Sequence, residues 1–468
     1  MATSSTGTIS SAGLGSGLDV KSIVSQLVAI EKRPLTQLQA QATKLDTQLS
    51  TYGTIKSQVS ALYDAAALLS GPGGWNAQTA TSSNGAVGVT ASSSAATTSL
   101  SVEVSQLARA QTSASATVLA GTSSGAVGTL NIEVGTWTNG VFSPSGTAKQ
   151  VTIGATDTMA TIAANINKAG AGVTATVLND GTNDRLVLKS AATGSAAGFR
   201  LNNPADVGLT QLGLTNPGDT GFVGQTAQDA NLKINGVDVV AASNKLANAV
   251  PGVTLQLNEV TAAPAAIEVA VDVSAVQKNI QSFVDAYNAL NTTISEAIKY
   301  DPATKIGGPL LGDSTTLGIQ TAVRNILGSS STGSTFSTLS EIGLERQTDG
   351  SLKINQTKLS SAETNIPNLK ALFASDNQNI KTNGFGIKVR DFTHGLINFD
   401  GLVTTKTQAV QKSIANNGKD QDRVTLRASK VEAQLLAQYT ALDSKIAGLS
   451  SLNSYVTAQL AVWNKPST

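Results

Sequence analysis

The 468-residue chain contains no cysteine. Disulfides, thiolate nucleophiles, iron–sulfur clusters and cysteine-ligated zinc are excluded with it. A single histidine, His394, stands in RDFTHGLINFDG, so histidine-ligated zinc and every cysteine–histidine pairing fail on count. A Ser–His–Asp triad would have to use His394, and no G-x-S-x-G elbow accompanies it. Charged residues are 13% of the chain and aromatics 4%; the charged share is about half of the roughly 25% usual in soluble domains. The 32 Lys+Arg and 31 Asp+Glu leave a net charge of +1, which argues against nucleic acid or an anionic membrane as the main partner. No apolar run approaches the roughly 18 residues of a membrane span. The start, MATSSTGTISSAGLGS, has neither the basic stretch nor the apolar core of a secretory signal. With Ser, Thr, Ala, Gly and Asn filling the gap, the composition reads as a secreted or surface-assembled protein; if it leaves the cell, it is expected to do so without a cleaved signal. The length calls for roughly two to four domains.

What is present is helical periodicity at both ends. Leu35, Leu38, Ala42, Leu45, Leu49, Tyr52, Ile55, Val59, Leu62, Ala66 and Leu69 follow three- and four-residue steps with one slip near Tyr52, a heptad pattern that predicts a long amphipathic helix ending at SGPGG (70–74). Val431, Leu435, Tyr439, Leu442, Ile446, Leu449, Val456, Leu460 and Trp463 repeat similar spacing at the other end. Two core helices of a bundle would account for this. Strand-rich sequence between them favours an antiparallel terminal coiled coil carrying an inserted body.

The middle alternates in twos. Leu100/Val102/Val104, Leu130/Ile132/Val134 and Ile267/Val269/Val271/Val273 predict strands, and Asn235-Gly236 predicts a hairpin turn. One helix interrupts over about 157–169. The turn-rich tract 202–222 reads as a connector. Beyond Val273 the period becomes helical again through Val276, Ile280, Phe283, Tyr287, Leu290, Ile294 and Ile298, with Ser274 and Gln277 spaced as a capping box. Helices over about 314–327 and 356–373 and a hairpin turning at Asp349-Gly350 complete a mostly helical unit over 274–400.

Two glycine-rich stretches invite a phosphate reading. GGPLLGDS (307–314) has Asp313 where a P-loop needs lysine, and an acid there repels the anion. GLGSGLDVKSIVSQLVAIEKRPL (13–35) has no strand before it, G-x-G-x-G spacing, and Glu31 as the next acid after Asp19, so the dinucleotide fingerprint fails. As a structural start it works: Asp19 caps a short helix with a wide apolar face, and Pro34 ends or kinks it. No catalytic set, cofactor or metal site is expected.

Several blocks are familiar. GLGSGLDVKSIVSQLVAIEKRPLTQL (13–38), SLSVEVSQLARAQT (99–112), DANLKINGVDVV with SNKLANAVPGVTLQL (229–257), LLGDSTTL (310–317), IGLERQTDGSLKIN (342–355) and QYTALDSKIAGLSSLNSYVTAQL (438–460) resemble, in order, the bacterial flagellar filament cap family, also called the flagellar hook-associated protein 2 family. DTMATIAANINKAGAGVTATV (157–177) is similar to the flagellin IN motif, with Ile166-Asn167 as its pair. The resemblance implies a homo-oligomeric ring at the filament tip that retains exported flagellin and helps it fold. It also implies type III export, contact with hook–filament junction proteins, and an export chaperone at the C-terminal region, without nucleic acid or membrane insertion.

The expected fold is an α+β multidomain chain: antiparallel terminal coiled-coil helices and a helical domain, with nested β-rich head domains inserted. Residues 1–34 form a flexible N-terminal leg, 35–75 with 274–430 a discontinuous helical domain, and 76–117 with 229–273 a β-rich head. Residues 118–228 form a second inserted head with the IN motif, and 431–468 a C-terminal leg helix. Filament contact falls to Leu14, Leu18, Ile23, Val24 and Leu27. The coiled-coil seam falls to Leu38, Leu45, Leu49, Tyr52, Val59 and Leu62 against Leu435, Leu442, Ile446, Leu449, Val456 and Leu460. Rival readings are another filament or junction subunit, and a surface adhesin.

Overall fold

The computed structural model describes residues 19–202 and 208–463; Leu14 and Leu18 lie outside them. Its helices are α1 (Val20–Glu31), α2 (Arg33–Ser70), α3 (Met159–Ala169), α4 (Val273–Ile298), α5 (Ser314–Leu327), α6 (Gln356–Glu363), α7 (Ile366–Ala374), α8 (Phe385–Ile397) and α9 (Leu402–Trp463). The chain divides into two units, one running up to Pro72 and again from Gln277, the other spanning Gly73–Val276.

The first unit is helical. Asp19 accepts a hydrogen bond from the Ser22 amide at 3.0 Å and caps α1, and Pro34 sits in the first turn of α2, where its missing N–H is harmless. Gly53 does not interrupt α2, because Tyr52, Ile55, Val59, Leu62, Ala66 and Leu69 are all buried around it. That stripe packs on α8 and α9. On α4, Ile280, Phe283, Tyr287, Leu290 and Ile294 are buried, as the spacing predicts. Asn288 exchanges two hydrogen bonds with the Leu352 backbone, at 2.8 and 2.9 Å, tying α4 to the hairpin Leu344–Arg346/Leu352–Ile354.

Two local expectations are corrected. Ser274 does not cap α4: the Asp272 carboxylate accepts from the Ala275 amide at 3.0 Å, and Ser274 already lies inside the helix. The single helix expected over 356–373 is two, because Asn365 caps a new start and Pro367 occupies its first turn, leaving no amide to continue α6.

The second unit is built of antiparallel sheets around two apolar cores. In one, a five-stranded sheet runs in the order 78–82, 265–271, 98–106, 230–234, 237–241, and a three-stranded sheet in the order 245–250, 253–257, 87–91. Val102, Val104, Leu232, Leu255, Ile267 and Val269 fill the core they share. The hairpin turns at Asn235 and Gly236, both at positive φ (51° and 81°), the geometry a two-residue turn requires.

The other core gathers α3 and the strands 128–138, 149–153, 173–179, 183–190 and 198–202. Ile166 is fully buried in it. The Asn167 side chain donates to the Ala175 carbonyl and accepts from the Ala175 amide, each at 2.8 Å. This pair of hydrogen bonds clamps the C-terminal end of α3 to an adjacent strand, which gives the Ile-Asn pair its physical role. The tract 208–222 is not a mere connector: Leu209, Leu212 and Leu214 belong to the same core.

Candidate assembly surface of the terminal helices

In α1 the positions Val20, Val24 and Val28 recur every four residues and are buried against Ala428, with Leu435 and Tyr439 packed beside them on α9. A twelve-residue helix is marginal alone in water, so docking on α9 is what holds α1. Glu31 closes the clasp with Arg427 at 3.0 Å. Ten residues back along α9, nearly three turns away, Asn417 is only 4% exposed. Its amide donates to the Leu38 carbonyl at 3.1 Å and to Gln41 Oε1 at 3.4 Å, and its carbonyl accepts from Gln421 Nε2 at 2.7 Å. Glu31 facing Arg427 and Leu38 facing Asn417 make the pairing of α1–α2 with α9 antiparallel.

The third pin lies where the failed phosphate loop was. Asp313 caps α5, accepting from the Thr315 and Thr316 amides at 2.8 and 3.3 Å. The same carboxylate accepts from the Tyr52 hydroxyl of α2 and faces Lys406 of α9 at 3.7 Å. Burial alone would raise the Asp313 pKa, but the Tyr52 hydroxyl, the two amides and Lys406 together hold it below the usual carboxylate range. Burial and the Asp313 carboxylate in turn push the Tyr52 phenol well above its ordinary value. One acid thus joins three helices.

The expected seam divides into two parts. Tyr52, Val59 and Leu62 are buried, and Leu38, Leu45 and Leu49 half-buried. On α9, Leu435 takes part in the α1 clasp and Ile446 is half-buried. Leu442, Leu449, Val456 and Leu460 are exposed, together with Leu452, Tyr455, Val462 and Trp463. No described helix covers that end of α9. Tyr455, Val456, Leu460 and Trp463 line a shallow apolar groove of about 290 Å³ there. On α1, Val24 faces α9 and is withdrawn from the surface, whereas Leu27 and Ile30 are exposed and Ile23 is half-buried. The outward row is therefore Ile23, Leu27 and Ile30.

His394 lies on the exposed side of α8 with its ring 5.8 Å from that of Tyr63. Among the described residues, no group of three or more His, Cys, Asp or Glu side chains is placed to hold a metal ion, and no helix is long and apolar enough to cross a membrane. Sequence reasoning missed Asn417, Asp313 and the Glu31–Arg427 pair. Asn417 and Gln421 do continue the three-and-four spacing of Ile414, Val424, Ala428 and Val431 upstream, but their polarity hid it.

Three family models match the chain: flagellar hook-associated protein 2 N-terminus over residues 16–111, flagellin hook IN motif over 129–192, and flagellar hook-associated protein 2 C-terminus over 227–451. The flagellar hook-associated protein 2 of Escherichia coli K12 is 31% identical, covering 96% of this chain and 98% of that protein. The A-type homologue of Pseudomonas aeruginosa is 28% identical over 96% of both. Among solved structures, the D1–D2–D3 domains of the flagellar cap protein FliD from Escherichia coli superpose with a TM-score of 0.56 at 27% identity, covering 77% of this chain and 99% of that one. A likeness that runs from one terminal helix through the β-rich unit to the other makes this chain a member of the flagellar hook-associated protein 2 family.

Proposed function

We propose that this chain is a structural cap at the distal tip of the bacterial flagellar filament, outside the cell. There, copies of it associate, retain exported flagellin and promote its folding and insertion beneath them. The carrying observation is the mismatch between the terminal helices: α1 and α2 cover α9 only as far as Tyr439, and the rest of α9 presents a row of apolar side chains to solvent. Such a row on a helix is a binding face, and a filament subunit with complementary helices is the partner the family points to. In this reading 1–34 and 431–468 are the legs, and Ile23, Leu27, Leu442, Leu449, Val456 and Leu460 make the filament contacts. The same C-terminal row serves an export chaperone before secretion, and the legs meet hook–filament junction proteins when the first cap assembles.

Deletion and complementation test this. A strain lacking the gene leaks flagellin monomers into its medium and does not swim. The intact chain restores filaments, whereas a variant with Leu442, Leu449, Val456 and Leu460 all changed to Ser folds but does not. Full motility with that variant would refute the contact assignment. A deletion strain that makes no flagellin at all would point instead to a filament subunit.

A further inference from the structure

A cavity of about 500 Å³ opens between α5, α8 and the loop that precedes α8, walled by Ile326, Ile380 and Phe392. At its polar end lies Lys388, 4% exposed. The ammonium donates to Ser329 Oγ at 3.0 Å and to the Ser330 carbonyl at 2.6 Å and stands 5.1 Å from the centre of the Phe385 ring. Those groups are neutral, and a buried cation is ordinarily matched by an anion. Among the described residues no carboxylate pairs with Lys388. Asp391 lines the same cavity, but Arg390 engages it at 2.7–2.8 Å, and Lys381 adds a second positive charge to the wall. Burial holds the Lys388 pKa below its ordinary value, the direction an incoming carboxylate would reverse.

The chain carries a segment of matching chemistry. Between α8 and α9 the sequence reads Asn398-Phe399-Asp400-Gly401. Phe399 is 84% exposed, far more than an aromatic side chain gains by being in water. Asp400 beside it is exposed, and neither residue has a side-chain bond among the described residues. We propose that the Lys388 cavity of one copy receives the Phe399–Asp400 loop of a second copy, the ring entering the apolar walls and the Asp400 carboxylate meeting the Lys388 ammonium. Donor loop and acceptor cavity are different surfaces of the same chain, so the contact is head-to-tail and propagates around a ring. It rests on the reading that copies of this chain associate.

The absence of native cysteine makes a clean test. Full-length Asn325→Cys, at the cavity rim, and Asn398→Cys, beside the loop, are mixed and treated with a short bis-maleimide. Cross-linked dimer is expected only in the mixture, and is expected to vanish when the loop copy also carries Phe399→Ala or Asp400→Lys. Because both loop side chains are exposed, these variants keep the thermal stability of the parent while sedimentation velocity shows association weakened by about tenfold or more. Oligomers that persist without the cross-link, and are indifferent to both variants, would overturn the contact and leave self-association standing. A chain that stays monomeric at every concentration and on filament tips would remove self-association and the contact together. Cross-linking of Asn325→Cys to flagellin on assembled filaments, or a co-purifying small amphiphilic acid in the cavity, would assign the site to that occupant and overturn the proposal.

Discussion

Replacing Asp313 with Ala removes three interactions at once. The cap on α5 contributes about 1 kcal/mol, within a range of about 0.5–2. The hydrogen bond from Tyr52 ends on a charged acceptor and contributes about 1.5–3 kcal/mol, and its loss leaves the buried hydroxyl with only the Thr316 side chain beside it. The Lys406 pair, at 3.7 Å with the lysine half-buried, adds less than about 1 kcal/mol. The helical unit should therefore lose about 3–5 kcal/mol in Asp313→Ala, read by urea unfolding at pH 7. Tyr52→Phe, which leaves Asp313 its two amides, should lose about 1–2 kcal/mol. The double variant should fall short of the sum by about 1–2 kcal/mol, because the shared bond can be removed only once. The pH dependence has a fixed sign. The folded-state pKa of Asp313 lies below its unfolded value of about 3.9, so its contribution is complete above about pH 4 and disappears as pH falls through the depressed folded value. The gap between parent and Asp313→Ala should be full at neutral pH and narrow in acid. A loss under about 1 kcal/mol at pH 7, strict additivity with Tyr52→Phe, or a gap that is the same at pH 7 and at acid pH would refute the three-helix pin.

Asn167→Ala strips the Ala175 amide and carbonyl of a paired partner and should destabilise the β-rich unit by about 2–3 kcal/mol, with the unfolding of the helical unit unchanged in calorimetry. Val24→Ala removes one of three buried valines from the α1 clasp and should weaken it by about 1–2 kcal/mol, seen as faster amide exchange confined to α1 and the facing turns of α9. Gly194→Ala places a Cβ 2.6 Å from that of Ala242 at a φ of +100°, and should lower the melting temperature of the β-rich unit by several degrees. Tyr52 and Tyr287 both have phenols raised chiefly by burial, so their contribution is full below about pH 10, the ordinary phenol value, and fades at higher pH. Tyr52→Phe should blunt that alkaline loss of stability.

The elements that rest on simple periodicity were legible. A three-and-four apolar pattern marks α2 and α4 because one stripe of each is buried and the other wet. Alternation marks the strands 98–106 and 265–271 because one face of each is buried. What stayed hidden depends on polar atoms whose partners are far away in the chain. Asp313 reads locally as a damaged phosphate loop, and only the arrival of Tyr52, 261 residues earlier, and Lys406 gives the acid its task. Asn417 looks like a break in the heptad, yet it is the residue that meets Leu38 across the seam. The α6–α7 break was readable in advance from Asn365 and Pro367. An apolar three-and-four spacing that runs across it, Leu359, Ala362, Ile366, Leu369 and Phe373, masked those signals.

The polar residues inside the seam also bear on how the proposed legs would work. An apolar pair of long helices is stabilised nearly as well one turn out of register, since every heptad offers a similar surface. Asn417 does not allow this: a one-turn slide takes its amide away from the Leu38 carbonyl and leaves a buried polar side chain unsatisfied, at a cost of about 1–3 kcal/mol. Glu31 with Arg427, and Asp313 bridging Tyr52 of α2 and Lys406 of α9, select the same register from either side. Three polar pins therefore fix where α1 stops covering α9, and hence how much of the Leu442–Trp463 row is left for a partner. Low charge alone would have given adhesive helices with no defined length of exposed surface; the pins give the proposed leg a set reach.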